Sequence, residues 1–385
     1  MTKTWLNETF FHNDLCTPFH VEMDNEYLDD LNGRYTLLLK QAKHAGADEK
    51  SIAIIHRFKT KIIEALKCYY RADIGKSNGI VRNLLRDIGE DPLAVSTLNT
   101  CKAFPGDPEK ELQLFRGRIG DPSHSFSAKD MLHFPFSLRA KSGNYRFSIP
   151  GNPSLYLANT SYGCWIETGF PADHIFNVAP VLLDGTQKVL NLAVSIRDIE
   201  DLKDAENEKI HVWLKLFMLT IATSYMISEE DRTFKSEYII SQSFMMASKK
   251  LGYDGVVYYS KRVSSDLFAK CAINLAMFVE YEDEYSEIVK HMKIDNAFNY
   301  AVYKNLGNNV KEAKVNLRTA EPSRHYKIGS YDRQYLYSET IFCEFDHFLF
   351  ATWENKPKGK GKNDIPWGIG LKESKIKKER NKESK

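Results

Sequence analysis

Three side chains in the stretch RFSIPGNPSLYLANTSYGCWIE (146–167) could do chemistry together: Arg146, Tyr156 and Glu167. A guanidinium grips phosphate oxygens through paired N–H donors. An aromatic ring packs against a flat ligand and holds it. A carboxylate kept partly out of water beside an electron-poor carbon stabilises positive charge as it develops there. Each residue also has a plain structural reading. Arg146 sits among turn formers, so a surface loop explains it equally well. Tyr156 lies in the apolar run SLYLA and fits a core aromatic. Glu167 follows Cys-Trp-Ile, where burial would be costly unless a partner or a function accounts for it. Upstream, Arg116 and Arg118 in LFRGRI alternate along an expected strand and so point to one face. They form either a solvated face or an anion site.

The elements that must place these residues follow from periodicity. Residues 24–104 read as helical. SIAIIHRFKTKIIEALKCYY repeats Ile54, Phe58, Ile62, Leu66 and Tyr69 at helical spacing, and GIVRNLLRDIGED ends near Gly89. AFPGDPEK (103–110) concentrates Pro, Gly and charge and reads as a linker. Beyond it, ELQLFRGRI, SLYLA, IFNVAPVLL, KVLNLAV, GVVYYS and INLAMFVEY read as strands. The Asp-Gly in LLDGTQKVLNL suggests a hairpin. Helices are expected at 211–227, at about 236–250 with Gly252 as its stop, and at about 284–304. The pattern predicts an α+β domain with antiparallel content. The expected division is a helical N-terminal domain (1–105), a central domain (110–282), its C-terminal extension (283–353) and a basic, disordered tail (354–385).

The totals narrow the class. The chain has 385 residues, 43% hydrophobic, with a net charge of +2. The basic excess is concentrated after Glu354, so the protein as a whole is not an electrostatic binder of nucleic acid. Cys16, Cys68, Cys101, Cys164, Cys271 and Cys343 are scattered without CxxC or CxxH spacing. That gives no support to a metal site and suits a reducing compartment. The apolar stretch 212–227 is broken by Lys215 and too short to span a bilayer, and the first residues lack a signal-peptide pattern. A cytoplasmic protein with no membrane partner is expected.

The order of motifs adds a family. FRGR (115–118), GNYRFSIPGNPSLYLA (143–158), TSYGCWIE (160–167), SQSFMMASKKLGYDGVVYYS (241–260) and INLAMF (273–278) follow one another as in the RES domain family, toxins named for conserved Arg, Glu and Ser. The chain resembles that family over roughly 113–280, with Gly143-Asn144-Tyr145-Arg146-Phe147-Ser148 standing where members usually carry Gly-Gly-Arg-Trp-Asn. Residues 1–105 look like the helical extension that precedes some RES domains.

The resemblance implies a fold similar to ADP-ribosyltransferases and consumption of NAD as substrate, with no resident cofactor. Cleaving the bond between nicotinamide and ribose generates an oxocarbenium-like cation. Glu167 would stabilise it, Arg146, Arg116 and Arg118 would hold the diphosphate, and Tyr156 would pack against nicotinamide or ribose. Ser260 would bond the nicotinamide amide or the ribose, and Asn274 would contact substrate or simply hold a strand. Water or inorganic phosphate would accept the ADP-ribose, giving an NAD glycohydrolase or phosphorylase. A protein acceptor would make it an ADP-ribosyltransferase. A catalytically silent partner-sensing module is the reading from another class. Because free NAD depletion would harm the cell, the enzyme reading also predicts a neutralising antitoxin or autoinhibition by the N-terminal domain.

Overall fold

The computed structural model describes residues 4–10, 13–21, 26–121, 125–227, 229, 231–263, 269–280, 285–306, 326–329 and 334–354. The chain opens with four helices: α1 (Thr4–Phe10), α2 (Tyr27–His44), α3 (Glu49–Tyr70) and α4 (Ile74–Ile88). Their ends are written in the sequence. The Asp48 carboxylate accepts from Ser51 N at 2.9 Å to start α3, and Asp73 accepts from Lys76 N at 3.2 Å to start α4. Gly89 ends α4 at φ +76°, a conformation that favours glycine. The α3 stripe Ile54, Phe58, Ile62 and Leu66 is buried, as its spacing predicts.

A mixed sheet of nine strands follows: β1 (Val95–Thr97), β2 (Leu112–Ile119), β3 (Ser154–Ala158), β4 (Phe176–Leu183), β5 (Lys188–Leu192), β6 (Gly255–Tyr259), β7 (Ile273–Phe278), β8 (Met292–Ile294) and β9 (Phe298–Asn299). Their order is β1-β5-β6-β7-β3-β2-β4-β8, with β9 also on β4. Only β5 and β6 run parallel. The crossover joining them carries α6 (Ile199–Leu202), α7 (Asn207–Thr223) and α8 (Ile239–Lys250), as parallel neighbours require. Helix α5 (Ser161–Glu167) follows β3 directly. After β7 come α9 (Ser286–Lys290), α10 (Tyr300–Lys304), the small hairpin β10 (Lys327–Gly329) and β11 (Gln334–Leu336), and α11 (Ile341–Glu354). The architecture is α+β, with helices leading the chain.

Two helical layers cover the sheet. Tyr27 and Tyr35 of α2, Phe58 of α3 and Leu85 of α4 share one continuous core with Trp213 and Phe217 of α7, Phe244 of α8, and Leu190, Val256 and Ala276 of the sheet. The helices of the N-terminal third therefore bury their apolar faces against the central part of the chain, and β1, preceding residue 105, pairs with β5. At the other end, Tyr300, Tyr303, Phe345 and Phe348 pack on Phe115, Ala158, Cys164 and Val178.

Two local expectations need correction. The Asp184-Gly185 turn is present, with Gly185 at φ +78°, but β4 and β5 do not pair as a hairpin. β5 is taken instead by β1 and β6. The helix expected over 284–304 is two short helices with β8 and β9 between them, because residues 292–294 and 298–299 add to β4. The basic stretch beyond Glu354 lies outside the described residues. Among the described residues no helix is long and apolar enough to cross a membrane, and no cluster of three or more His, Cys, Asp or Glu could hold a metal ion.

Candidate active site

The sheet opens between β2 and β3. These strands share a single bridge, Phe115 with Ala158. Just beyond it the Arg116 guanidinium donates to Tyr156 O at 2.9 Å, where a ladder bond would otherwise stand. The separation leaves a cleft of about 850 Å3 lined by Arg116, Arg118, Arg146, Tyr156, Glu167 and Asn274, a size suited to a small molecule. Among the described residues none of its lining comes from the first 105, so helices α1 to α4 do not plug it.

Glu167 reaches the cleft from the last position of α5. Thr160 starts that helix, accepting from Gly163 N at 2.9 Å, and its hydroxyl donates to Cys271 O at 2.5 Å, tying the turn to the segment before β7. The buried Asp346 of α11 accepts from Ser161 N at 3.0 Å and from the Tyr337 hydroxyl at 2.5 Å. Burial pushes its carboxyl up to about 7. The α5 helix lies so close to β2 that a Cβ on Gly117 would stand 2.7 Å from Cys164 Cβ. At the far end, Asn274 Nδ2 donates to Glu167 Oε1 at 2.7 Å. Asn274 is buried on β7, opposite both Ala158 of β3 and Tyr258 of β6. The register of three strands thus fixes the amide that orients the glutamate.

Arg146 is anchored through its back. Its guanidinium donates to Thr223 O, on the last residue of α7, and, at 2.7 Å, to Tyr225 O two residues beyond it, and it lies 5.2 Å from the centroid of the Tyr238 ring. The loop that carries it is also held. Gln242 Nε2 on α8 donates to Asn144 Oδ1 at 2.5 Å, Tyr145 O at 3.1 Å and Ser148 O at 3.0 Å. The Tyr156 hydroxyl accepts from Phe147 N at 3.2 Å and exchanges a hydrogen bond with Ser148 Oγ at 2.7 Å. Burial raises the Tyr156 phenol above its usual range, so it stays protonated. Tyr145, half exposed, meets the Tyr156 ring edge-on at 6.1 Å between centroids.

Charge is the site's strongest asymmetry. Among the described residues seven cations line the cleft (Arg116, Arg118, Arg146, Arg232, Lys235, Lys261 and Arg262) against two acids, Asp231 and Glu167; one of the seven, Arg232, is paired with the buried Glu237 at 2.6 Å. Among the described residues no carboxylate lies within salt-bridge distance of Arg116, Arg118 or Arg146. Burial, and then Arg118 alongside, lowers Arg116 to about 10, still cationic at neutral pH. Its buried Nε has no hydrogen-bond partner. Arg118 donates to Asp130 O and sits 5.5 Å from each of the Phe126 and Phe134 rings. Such a surface favours an anion with several oxygens.

Residues 117–300 match the family model of the RES domain. This part of the chain is a RES domain. Over 164 residues the chain is 32% identical to "Putative toxin YopC" of Bacillus subtilis (strain 168), covering 40% of this chain and 37% of that protein. The chain therefore spans just over a third of that relative's length. The crystal structure of the M. tuberculosis MbcT–MbcA toxin–antitoxin complex is similar at 15% identity with a TM-score of 0.30, over 59% of this chain and 96% of that one.

Six of the seven residues singled out from the sequence line the cleft of the RES domain. Ser260 does not. It is buried, and its hydroxyl accepts from Arg262 N at 3.2 Å. It shapes the turn that delivers Lys261 and Arg262 to the cleft wall and has no direct access to a substrate there. Lys261, Arg262, Arg232, Lys235 and Tyr238 were not found from sequence. They sit on connections and helix ends that only the tertiary fold brings together. Gln242 was visible as part of a motif, but its task, fastening the 144–148 loop, was not.

Proposed function

We propose that this RES domain cleaves the nicotinamide–ribose bond of NAD, on a core of the ADP-ribosyltransferase type. The observation that carries the reading is the pairing of a half-buried carboxylate, fixed by a neutral amide, with three arginines that no carboxylate among the described residues neutralises. NAD joins a diphosphate to a ribose whose anomeric carbon becomes cationic when nicotinamide leaves. The arginines match the first and Glu167 the second.

In the proposed reaction the C1′–N bond breaks and its electron pair goes to the nicotinamide nitrogen, which leaves neutral. No general acid is needed. Glu167 lowers the energy of the oxocarbenium ion. Water or inorganic phosphate then attacks C1′, losing a proton to solvent when water is the acceptor. Tyr156, protonated and fixed by Ser148, offers a ring and a neutral hydroxyl beside the substrate. The excess of cations over acids among the described lining residues is what a dianionic diphosphate, with or without a second phosphate, would select. Transfer to a protein side chain uses the same first step and differs only in acceptor. Because such an activity would deplete its own cell, a neutralising antitoxin is part of the proposal. Autoinhibition by the N-terminal domain is the alternative restraint; among the described residues none before 105 lines the cleft.

The test is nicotinamide release from NAD by the purified protein, with and without phosphate, followed by product identification. Release is expected, with Glu167→Ala losing about a hundredfold or more in kcat and Arg146→Ala losing NAD affinity. No release under either condition, from folded protein, would overturn the reading. Label passing from NAD to protein would assign the transferase instead.

A further inference from the structure

The anchor of Arg146 does not end within the RES domain. The carbonyls that hold it, on Thr223 and Tyr225, belong to a segment that is itself held by residues far upstream. Phe19 N donates to Ser224 O at 2.9 Å, and Met226 N donates to Phe19 O at 2.8 Å. The Tyr27 hydroxyl donates to Ala222 O at 2.7 Å. The Tyr225 hydroxyl donates to Asp30 Oδ2 at 2.6 Å, and Arg34 closes on both oxygens of Asp30 at 2.6 and 3.1 Å. Met226 and Ile227, next along the chain, line the cleft.

These contacts are directional and mostly buried. A helix C-terminus ordinarily frays, and its last carbonyls are satisfied by water or caps. Here they are satisfied on one side by α2 and the backbone of Phe19 and on the other by the Arg146 guanidinium. Tyr27 meets Tyr225 edge-on at 4.7 Å between ring centroids. A shift of this segment would move the acceptors of Arg146, and the guanidinium with them.

We propose that Phe19, Tyr27, Asp30 and Arg34 form a positioning buttress of the anion cleft: they fix the segment Ala222–Met226, and through the Thr223 and Tyr225 carbonyls they fix Arg146. The inference deepens the NAD reading and rests on it for the identity of the ligand. It assigns the N-terminal region a part in forming the site, although that region precedes the matched domain at 117–300.

The test uses the full chain and two probes. Inorganic pyrophosphate, followed by calorimetry, reads the anion site without turnover. Nicotinamide release gives KM and kcat. Asp30→Ala is expected to weaken pyrophosphate binding and raise the KM for NAD roughly five- to tenfold, with kcat within about twofold of wild type. Asp30→Asn keeps an acceptor for the Tyr225 hydroxyl and should restore most of that loss. Leu38→Ala, in the same helix and fully buried, is the control for lost stability and should leave both constants near wild type below its melting range. Wild-type pyrophosphate affinity in Asp30→Ala would overturn the buttress. So would an equal loss in Leu38→Ala, or no pyrophosphate binding by the wild type. Pyrophosphate binding that depends on Asp30, with no nicotinamide release, would keep the buttress and remove the NAD reading.

Discussion

Asn274 Nδ2 donates to Glu167 Oε1 at 2.7 Å, joining two residues 107 positions apart. The partner is a neutral amide, so the glutamate is oriented without its charge being cancelled. An arginine in the same place would have spent that charge. Asn274→Ala is expected to lower kcat about tenfold with little change in KM. Asn274→Asp should be worse at neutral pH and should move the acidic limb of the kcat profile upward, because a second carboxylate opposes ionisation of the first. An unchanged pH profile in Asn274→Asp would remove Glu167 from the rate-determining chemistry.

Gln242 holds the loop bearing Arg146 through three acceptors. Gln242→Ala frees Asn144, Tyr145 and Ser148 together. The expected effect is a KM for NAD raised about fivefold and a stability loss of about 1–2 kcal/mol, measured by steady-state kinetics and urea unfolding. An effect on kcat alone would contradict a loop-holding role.

Gly117 is needed for clearance rather than for backbone freedom. A methyl there would stand 2.7 Å from Cys164 Cβ, and the helix it would push away carries Glu167. Gly117→Ala should destabilise by about 1–3 kcal/mol and lower activity beyond what its stability loss explains. A thermal melt and an assay well below the transition separate the two.

Asp346 gives the fold a pH dependence of known sign. Its carboxyl is raised to about 7 by burial, above its value in an unfolded chain. The folded state therefore binds the proton more tightly. The stabilisation is complete below about pH 4 and is lost as pH rises through about 7. Asp346→Asn cannot ionise, so its stability relative to the wild type should rise steadily between about pH 4 and 7 and level off above that, by about 2–4 kcal/mol in all in urea unfolding. Equal pH slopes for the two proteins would show that Asp346 does not titrate in this range.

Much of the fold was legible because it rests on local patterns. The α3 stripe, the stop at Gly89 and the strands LFRGRI, SLYLA and GVVYY each follow from spacing within a dozen residues. The hairpin at Asp184-Gly185 was misread because a turn fixes chain reversal and not strand pairing. The competing partner, β6, lies more than sixty residues on. The site divided in the same way. Arg146, Tyr156 and Glu167 share one stretch, and order alone suggested their association. Lys261, Arg262, Arg232 and Lys235 carry no periodic signal, and only the fold gathers them. Ser260 shows the converse. It belongs to the family pattern, yet its hydroxyl is turned to the backbone of Arg262.

The unequal charge of the cleft has a consequence for release. If NAD is the substrate, nicotinamide leaves neutral and the attacking water gives a proton to solvent, so the ADP-ribose left behind carries one more net negative charge than NAD did. The cation excess of the cleft will hold that remainder more strongly than it held the reactant. Turnover would then start with a burst and settle to a slower pace set by product escape, and added salt would quicken the steady phase while slowing capture.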